Sequence, residues 1–301
     1  PIFAADGEID SAIIWDGTEN TESATEGTGY EGDPYIIKTA KQFYHYMYWG
    51  YSVANDLYPK LDTDIYLNAP GTFDPETGEV LAAKVNTWSA KQFQGEIDGN
   101  GHTIYGLYTN ENPSSYGNTS NYYGLLSQPV AGTSITIKNL GIDDVYINAN
   151  GAAAAFVAYS SNSVGHVKIT NSYVGKNVTI KATYAGAFIA RGSFSASDYL
   201  EVTQCYSLAT LEGNGQGASL IGSVWSGYYR IVENYATHSI FANSGGSIAR
   251  NYSTTQATTS YYVTKVDDAA IKGAGALTTM SALNTSGEFF RYIDVGNFHR
   301  F

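Results

Sequence analysis

Gly186-Ala187-Phe188-Ile189-Ala190 has three counterparts elsewhere in the chain: Tyr123-Gly124-Leu125-Leu126, Ala154-Ala155-Phe156-Val157-Ala158 and Gly217-Ala218-Ser219-Leu220-Ile221-Gly222. Aligned on Gly124, Phe156, Phe188 and Leu220, they recur every 32 residues. The first register is open to a slip of one, because its aligned residue precedes the leucine pair. A second series keeps step with the first. It comprises Ile137-Lys138-Asn139-Leu140-Gly141, Ile169-Thr170-Asn171-Ser172-Tyr173, Val202-Thr203-Gln204-Cys205-Tyr206, Val232-Glu233-Asn234-Tyr235-Ala236 and Ala249-Arg250-Asn251-Tyr252-Ser253. Its amide residues lie 32, 33, 30 and 17 positions apart, so the last winding is expected to be truncated or differently built. Between the two runs a third β-like segment: Val145-Tyr146-Ile147, Val178-Thr179-Ile180 and Ala209-Thr210-Leu211.

A repeat of this length marks units that bury their apolar faces only by stacking on one another. Three short segments per repeat, each alternating with period two and none striped like a helix, predict an all-β, three-faced solenoid of parallel strands. Each strand should pair with its equivalent one winding on, about 4.8 Å away. Phe156, Phe188 and Leu220 then form an inner apolar column. Asn139, Asn171, Gln204, Asn234 and Asn251 form an amide ladder that satisfies the backbone of a turn, a structural role preferred here to a ligand-binding rail.

Composition agrees. Of the 301 residues 43% are hydrophobic and only 15% charged, and 32 Gly, 7 Pro and 26 Tyr suit a β-rich chain with many turns. A net charge of −12 argues against nucleic acid and anionic membranes, since phosphate needs a basic surface. Cys205 is the single cysteine, which excludes a disulfide framework and a cysteine-based zinc site. No run reaches the roughly 18 apolar residues of a membrane span, so no membrane insertion is expected. Residue 1 reads as an engineered or a mature start, so any signal peptide is missing from the sequence.

An open coil exposes strand edges and needs caps. Thr39 reads as the N-cap of a helix over residues 40–50, with Phe43, Met47 and Tyr51 on one face and Gly50 as its stop. Residues 61–67 read as one strand, with Ile65 and Leu67 inward. Residues 276–283 read as a short C-terminal helix, followed by Phe289, Phe290 and Tyr292 as a covering cluster. The expected organisation is an N-terminal extension and cap over 1–92, coils over 93–262 and a C-terminal cap over 263–301, all in one structural domain. In Phe93-Gln94-Gly95-Glu96-Ile97-Asp98-Gly99-Asn100-Gly101-His102-Thr103-Ile104, the residues Phe93, Ile97 and Ile104 face inward, and Asp98–Gly101 supplies positive φ for a corner. Residues 71–79 and 111–121 read as protruding loops.

These stretches resemble bacterial surface proteins carrying GLUG motifs. Such proteins open with a segment like Glu31-Gly32-Asp33-Pro34-Tyr35-Ile36-Ile37. A helix, a strand like Asp64-Ile65-Tyr66-Leu67 and a Phe-x-Gly-x-Ile-Asp-Gly-Asn-Gly-His-x-Ile corner follow in this order. The likeness covers roughly residues 15 to 290, and the four small-plus-apolar segments look like degenerate GLUG segments. It implies a right-handed parallel β-helix, similar in architecture to pectate lyases and autotransporter adhesins. It also implies an extracellular or wall-attached module, monomeric within a larger multidomain chain. It implies no active site.

Parallel β-helices also host polysaccharide lyases and glycoside hydrolases, which need paired carboxyls, or calcium ligands with a basic residue. Glu96 with Asp98 beside His102, Asp143 with Asp144, and Asp198 with Glu201 are the candidate acids. Asp98 belongs to a turn, where a carboxylate ordinarily accepts backbone amides. Asp143 and Asp144 are adjacent and point to opposite sides of a strand, although a corner could gather them around a structural calcium; no other cofactor is expected. His166, Asp198 and Arg230 recur at 32-residue spacing, but the corner insertion between Phe188 and Gln204 shifts that register by about one residue, and they read as a surface ion pair and not as a triad. A catalytic role is not expected. The favoured function is binding of a glycan or surface protein by exposed aromatics, with Tyr116, Tyr122, Trp225, Tyr228 and Tyr229 as ligand-binding candidates. A rigid spacer is the alternative. The tyrosines of the helix, Tyr44, Tyr46 and Tyr48, with Trp49 and Tyr51, are expected to pack in the cap.

Overall fold

The computed structural model describes residues 9–19, 21–49, 55–118, 120–161, 165–193, 199–213, 218–224, 228–232, 234–236, 247–249, 251–253 and 271–272. The fold is all-β with three sheets, and every strand pair in them is parallel. The first sheet holds residues 35–37, 59–61, 95–98, 133–138, 165–170, 199–203, 228–232 and 247–249, side by side in chain order. The second holds 65–66, 103–105, 141–143, 173–174, 206–207, 235–236, 251–253 and 271–272, also in chain order. The third gathers 91–93, 108–110, 122–123, 126–129, 145–154, 157–161, 178–193, 210–213 and 218–224. From residue 133 to residue 236 the chain visits the sheets in the same rotation, once per repeat.

The registers carry the repeat. Ile135 pairs with Val167 and Val157 with Ile189, each 32 residues on. Tyr235 pairs with Tyr252, so the interval of 17 is a real, shorter winding. Phe156 and Phe188 are fully buried with ring centroids 5.1 Å apart, and Leu220 follows in the same column. The slip anticipated at the first repeat occurs. Leu126 pairs with Val157, which puts Leu125 rather than Gly124 over Phe156. Gly124 instead takes φ +152°, where a Cβ would meet the Ala154 carbonyl at 2.2 Å. Ile97, Ile137, Ile169 and Val202 form a second inner column, all at zero exposure. Each such side chain contributes roughly 1.5–3 kcal/mol by leaving water.

Asn139, Asn171, Gln204 and Asn234 sit at the corner between the first and second sheets, and Asn251 begins the 251–253 strand of the second. Asn139, Asn171 and Gln204 have φ of +54°, +50° and +55°, a region costly for most residues and tolerated by asparagine. Asn171 Nδ2 donates to Asn139 Oδ1 at 2.7 Å, and Asn139 Nδ2 to Asp98 Oδ1 at 3.0 Å. Two windings on from Asn171, Asn234 serves the backbone instead. It accepts from Cys205 N at 2.9 Å and donates to the Val202 carbonyl at 2.9 Å.

The helix runs Ala40–Trp49, and Gln42 N donates to Thr39 Oγ1 at 3.2 Å, as an N-cap requires. Its buried face, Phe43 and Met47, joins Ile37, Leu61, Ile65 and Leu67 in the main core. Tyr44 stacks on Trp15 at 5.1 Å and Tyr46 on Tyr35 at 4.6 Å, so these tyrosines do pack in the cap. Gly50 and Tyr51 lie outside the described residues, as do residues 276–292. The single strand expected over 61–67 is two: Pro59–Leu61 belongs to the first sheet and Ile65–Tyr66 to the second. Asp64 turns the chain between them, accepting Thr103 N at 2.9 Å. No helix among the described residues is long and apolar enough to cross a membrane.

Candidate binding surfaces

The acidic candidates are largely occupied. Lys138 Nζ lies 2.6 Å from Glu96 and 4.0 Å from Asp98. Burial lowers the Lys138 pKa, and the two carboxylates more than offset it, leaving the ammonium above its usual range. Asp98 Oδ1 also accepts Asn100 N at 2.8 Å, closing the turn. His102 faces Asp64, 3.2 Å away, and not the Glu96–Asp98 pair.

Asp143 Oδ1 accepts the amides of Asp144 and Asn177 at 2.9 and 3.0 Å. Asp144 turns the corner with φ +56°. Burial, then the neighbouring Asp143, pushes its pKa up to about 6. Among the described residues no three His, Cys, Asp or Glu side chains converge as metal ligands. The 32-residue series of His166, Asp198 and Arg230 is out of step. Val167 pairs with Leu200, so His166 is opposite Tyr199, while Arg230 is opposite Glu201; Asp198 lies outside the described residues. The extra residue between Phe188 and Gln204 is the cause.

The aromatic candidates separate. Tyr228 and Tyr229 lie on the 228–232 strand of the first sheet, opposite Tyr199 and Leu200. Trp225 lies outside the described residues. Tyr116 and Tyr122 are on the third sheet's side. The loop carrying Tyr116 does not protrude freely. Its tyrosine donates a short hydrogen bond to Asn148 Oδ1, and Gly117 N and Asn118 N donate to Asn150 Oδ1 at 2.8 Å each. Tyr122 stacks on Tyr159 with centroids 4.8 Å apart and planes 6° from parallel. The Arg191 guanidinium lies 5.6 Å from the Tyr159 ring centre and 5.3 Å from that of Tyr184. Beneath them Ala152, Ala154, Tyr184 and Ala190 form a small apolar cluster separate from the main core. Burial raises the Tyr122 pKa, Tyr159 adds to this and Arg191 opposes it.

No family model and no solved structure matches the chain. A protein of Evansella cellulosilytica described as "Putative Gly-rich membrane protein" is 27% identical over 175 residues. The match covers 58% of this chain and 17% of that protein.

Sequence reasoning missed Tyr159, Tyr184 and Arg191, although a signal existed. Arg191 follows Tyr159 by one period of 32, and the two are register partners. In the second sheet Tyr173 stacks on Tyr206 at 5.0 Å, and the backbone register continues from Tyr206 to Tyr235 and Tyr252. Tyr173 and Tyr206 are almost wholly buried, which makes them structural more than ligand-facing.

Proposed function

We propose that the chain is a right-handed, three-faced β-helix of the GLUG type. In this reading it is a non-catalytic module of a bacterial surface or secreted protein, outside the cell or on its wall, that binds glycan or protein through aromatic side chains. One observation carries the binding reading: the parallel Tyr122–Tyr159 pair with Arg191 against it. Half-buried rings, with a planar cation over the face of Tyr159, offer stacking area and directed hydrogen bonds at little cost in side-chain entropy. The engaged state of Glu96, Asp98 and Asp143 supports a module without catalysis. Parallel pairing from Tyr35 to Lys272 favours one second reading, a rigid scaffold for neighbouring modules.

A glycan array and a surface-protein pull-down with the full chain separate these readings. Binding that falls at least tenfold in Tyr122→Ala and Tyr159→Ala supports the module. Trp225→Ala and Tyr229→Ala report whether the first-sheet aromatics share the ligand. Absence of any ligand leaves the scaffold.

A further inference from the structure

The segment around residues 71–79, a loop by sequence, is a hairpin bridged from Phe73 to Val80 and laid against the third sheet. Phe73 packs on Tyr108 at 4.9 Å, and Tyr108 Oη donates to the Gly78 carbonyl at 3.1 Å. Gly78 is so close to Tyr146 that a Cβ there would lie 2.1 Å from the ring. Past Tyr146 the same row of partners continues along the coil as Thr179 and Thr210, and the neighbouring row as Lys181 and Glu212. Hairpin and sheet thereby enclose a half-open cleft of about 720 Å³, walled by Asp74–Thr77 and floored by those four residues. Its size falls in the range of small-molecule sites.

The lining is polar and close to charge balance. Lys181 lies 3.3 Å from Glu212, so these two largely cancel. Asp74 spends one carboxylate oxygen on the amides of Glu76 and Thr77 at 2.8 and 3.2 Å. An anion would meet Asp74, Glu76 and Glu212, and a cation would meet Lys176 and Lys181. A neutral molecule with many hydroxyls meets neither penalty. It can also use donors and acceptors repeated at about 4.8 Å from one winding to the next.

We propose that this cleft is a binding site for a neutral oligosaccharide lying across the windings. The site rests on the hairpin's position and is independent of the Tyr122–Tyr159 cluster.

Isothermal titration of the full chain with neutral hexasaccharides (cello-, xylo-, manno-, laminari- and malto-oligosaccharides) tests it, with polygalacturonate and polylysine as charged comparisons. Thr210 is exposed, so Thr210→Trp fills the floor and leaves the thermal unfolding midpoint unchanged. At least one neutral hexasaccharide should bind, with affinity falling tenfold or more in Thr210→Trp and in Lys181→Ala but not in Tyr122→Ala. Binding of no neutral hexasaccharide overturns the proposal, as does preference for a charged polymer or indifference to Thr210→Trp. Loss in Tyr122→Ala with retention in Thr210→Trp overturns the cleft while upholding the tyrosine surface.

Discussion

Phe188 lies against Phe156 one winding away, both at zero exposure, with ring centroids 5.1 Å apart and planes inclined by 33°. Neither ring can be removed without opening a void that neighbours on two windings must share. Phe188→Ala should cost about 3–5 kcal/mol in urea unfolding, whereas Phe188→Leu, which keeps most of the volume, should cost under about 1.5 kcal/mol. Equal costs for the two would contradict the packed column.

At the amide corner, Asn139 both bonds across windings and holds φ +54°. Asn139→Ala loses the bonds and strains the backbone, so a loss of about 2–4 kcal/mol is expected. Asn139→Gly loses only the bonds and should be the milder of the two. Chemical denaturation ranks them.

The raised Asp144 pKa sets a pH dependence. In the unfolded chain this carboxyl titrates near 3.8, and in the fold near 6. Between those values the fold holds a proton that the unfolded chain has released, so this group's contribution to stability declines as pH rises from about 4 to about 6. Asp144→Asn keeps a residue suited to φ +56° and removes the titration. It should be more stable than the parent at pH 7, by about 1 kcal/mol after solvent screening, and the gap should vanish near pH 4. Urea midpoints at four pH values would show it.

Gly78 has φ +77° as well as the tight approach to Tyr146. Gly78→Ala should lift the hairpin from the sheet while leaving the coil folded. Faster amide exchange confined to the hairpin and its partners Tyr108 and Tyr146 is the expected signature.

Cys205 is wholly buried, its thiol bonded to the Thr203 carbonyl at 3.1 Å, and burial raises its pKa well above the ordinary thiol value. It should resist a thiol reagent in buffer and react fully in denaturant. Rapid labelling of the folded chain would place it elsewhere.

The repeat was legible because inward residues must superpose. Phe156, Phe188 and Leu220 announce their register by spacing alone. The split at Leu61 and Ile65 was not legible, since Asp62-Thr63-Asp64 preserves a strand's alternation while the chain turns a corner. Outward partners depend on the register residue by residue, and the one-residue insertion legible before Gln204 sets His166 opposite Tyr199. The hairpin's docking through Gly78 and Tyr146 joins residues 68 positions apart and leaves no local signature.

From residue 133 to residue 232 adjacent strands are about one repeat apart in sequence, so 32 residues advance the molecule by only about 4.8 Å. The same 32 residues in a single α-helix would reach about 48 Å. As a means of gaining distance this architecture is tenfold wasteful. What it supplies is breadth: parallel sheets on which each added winding lays down another row of outward side chains in register with the last.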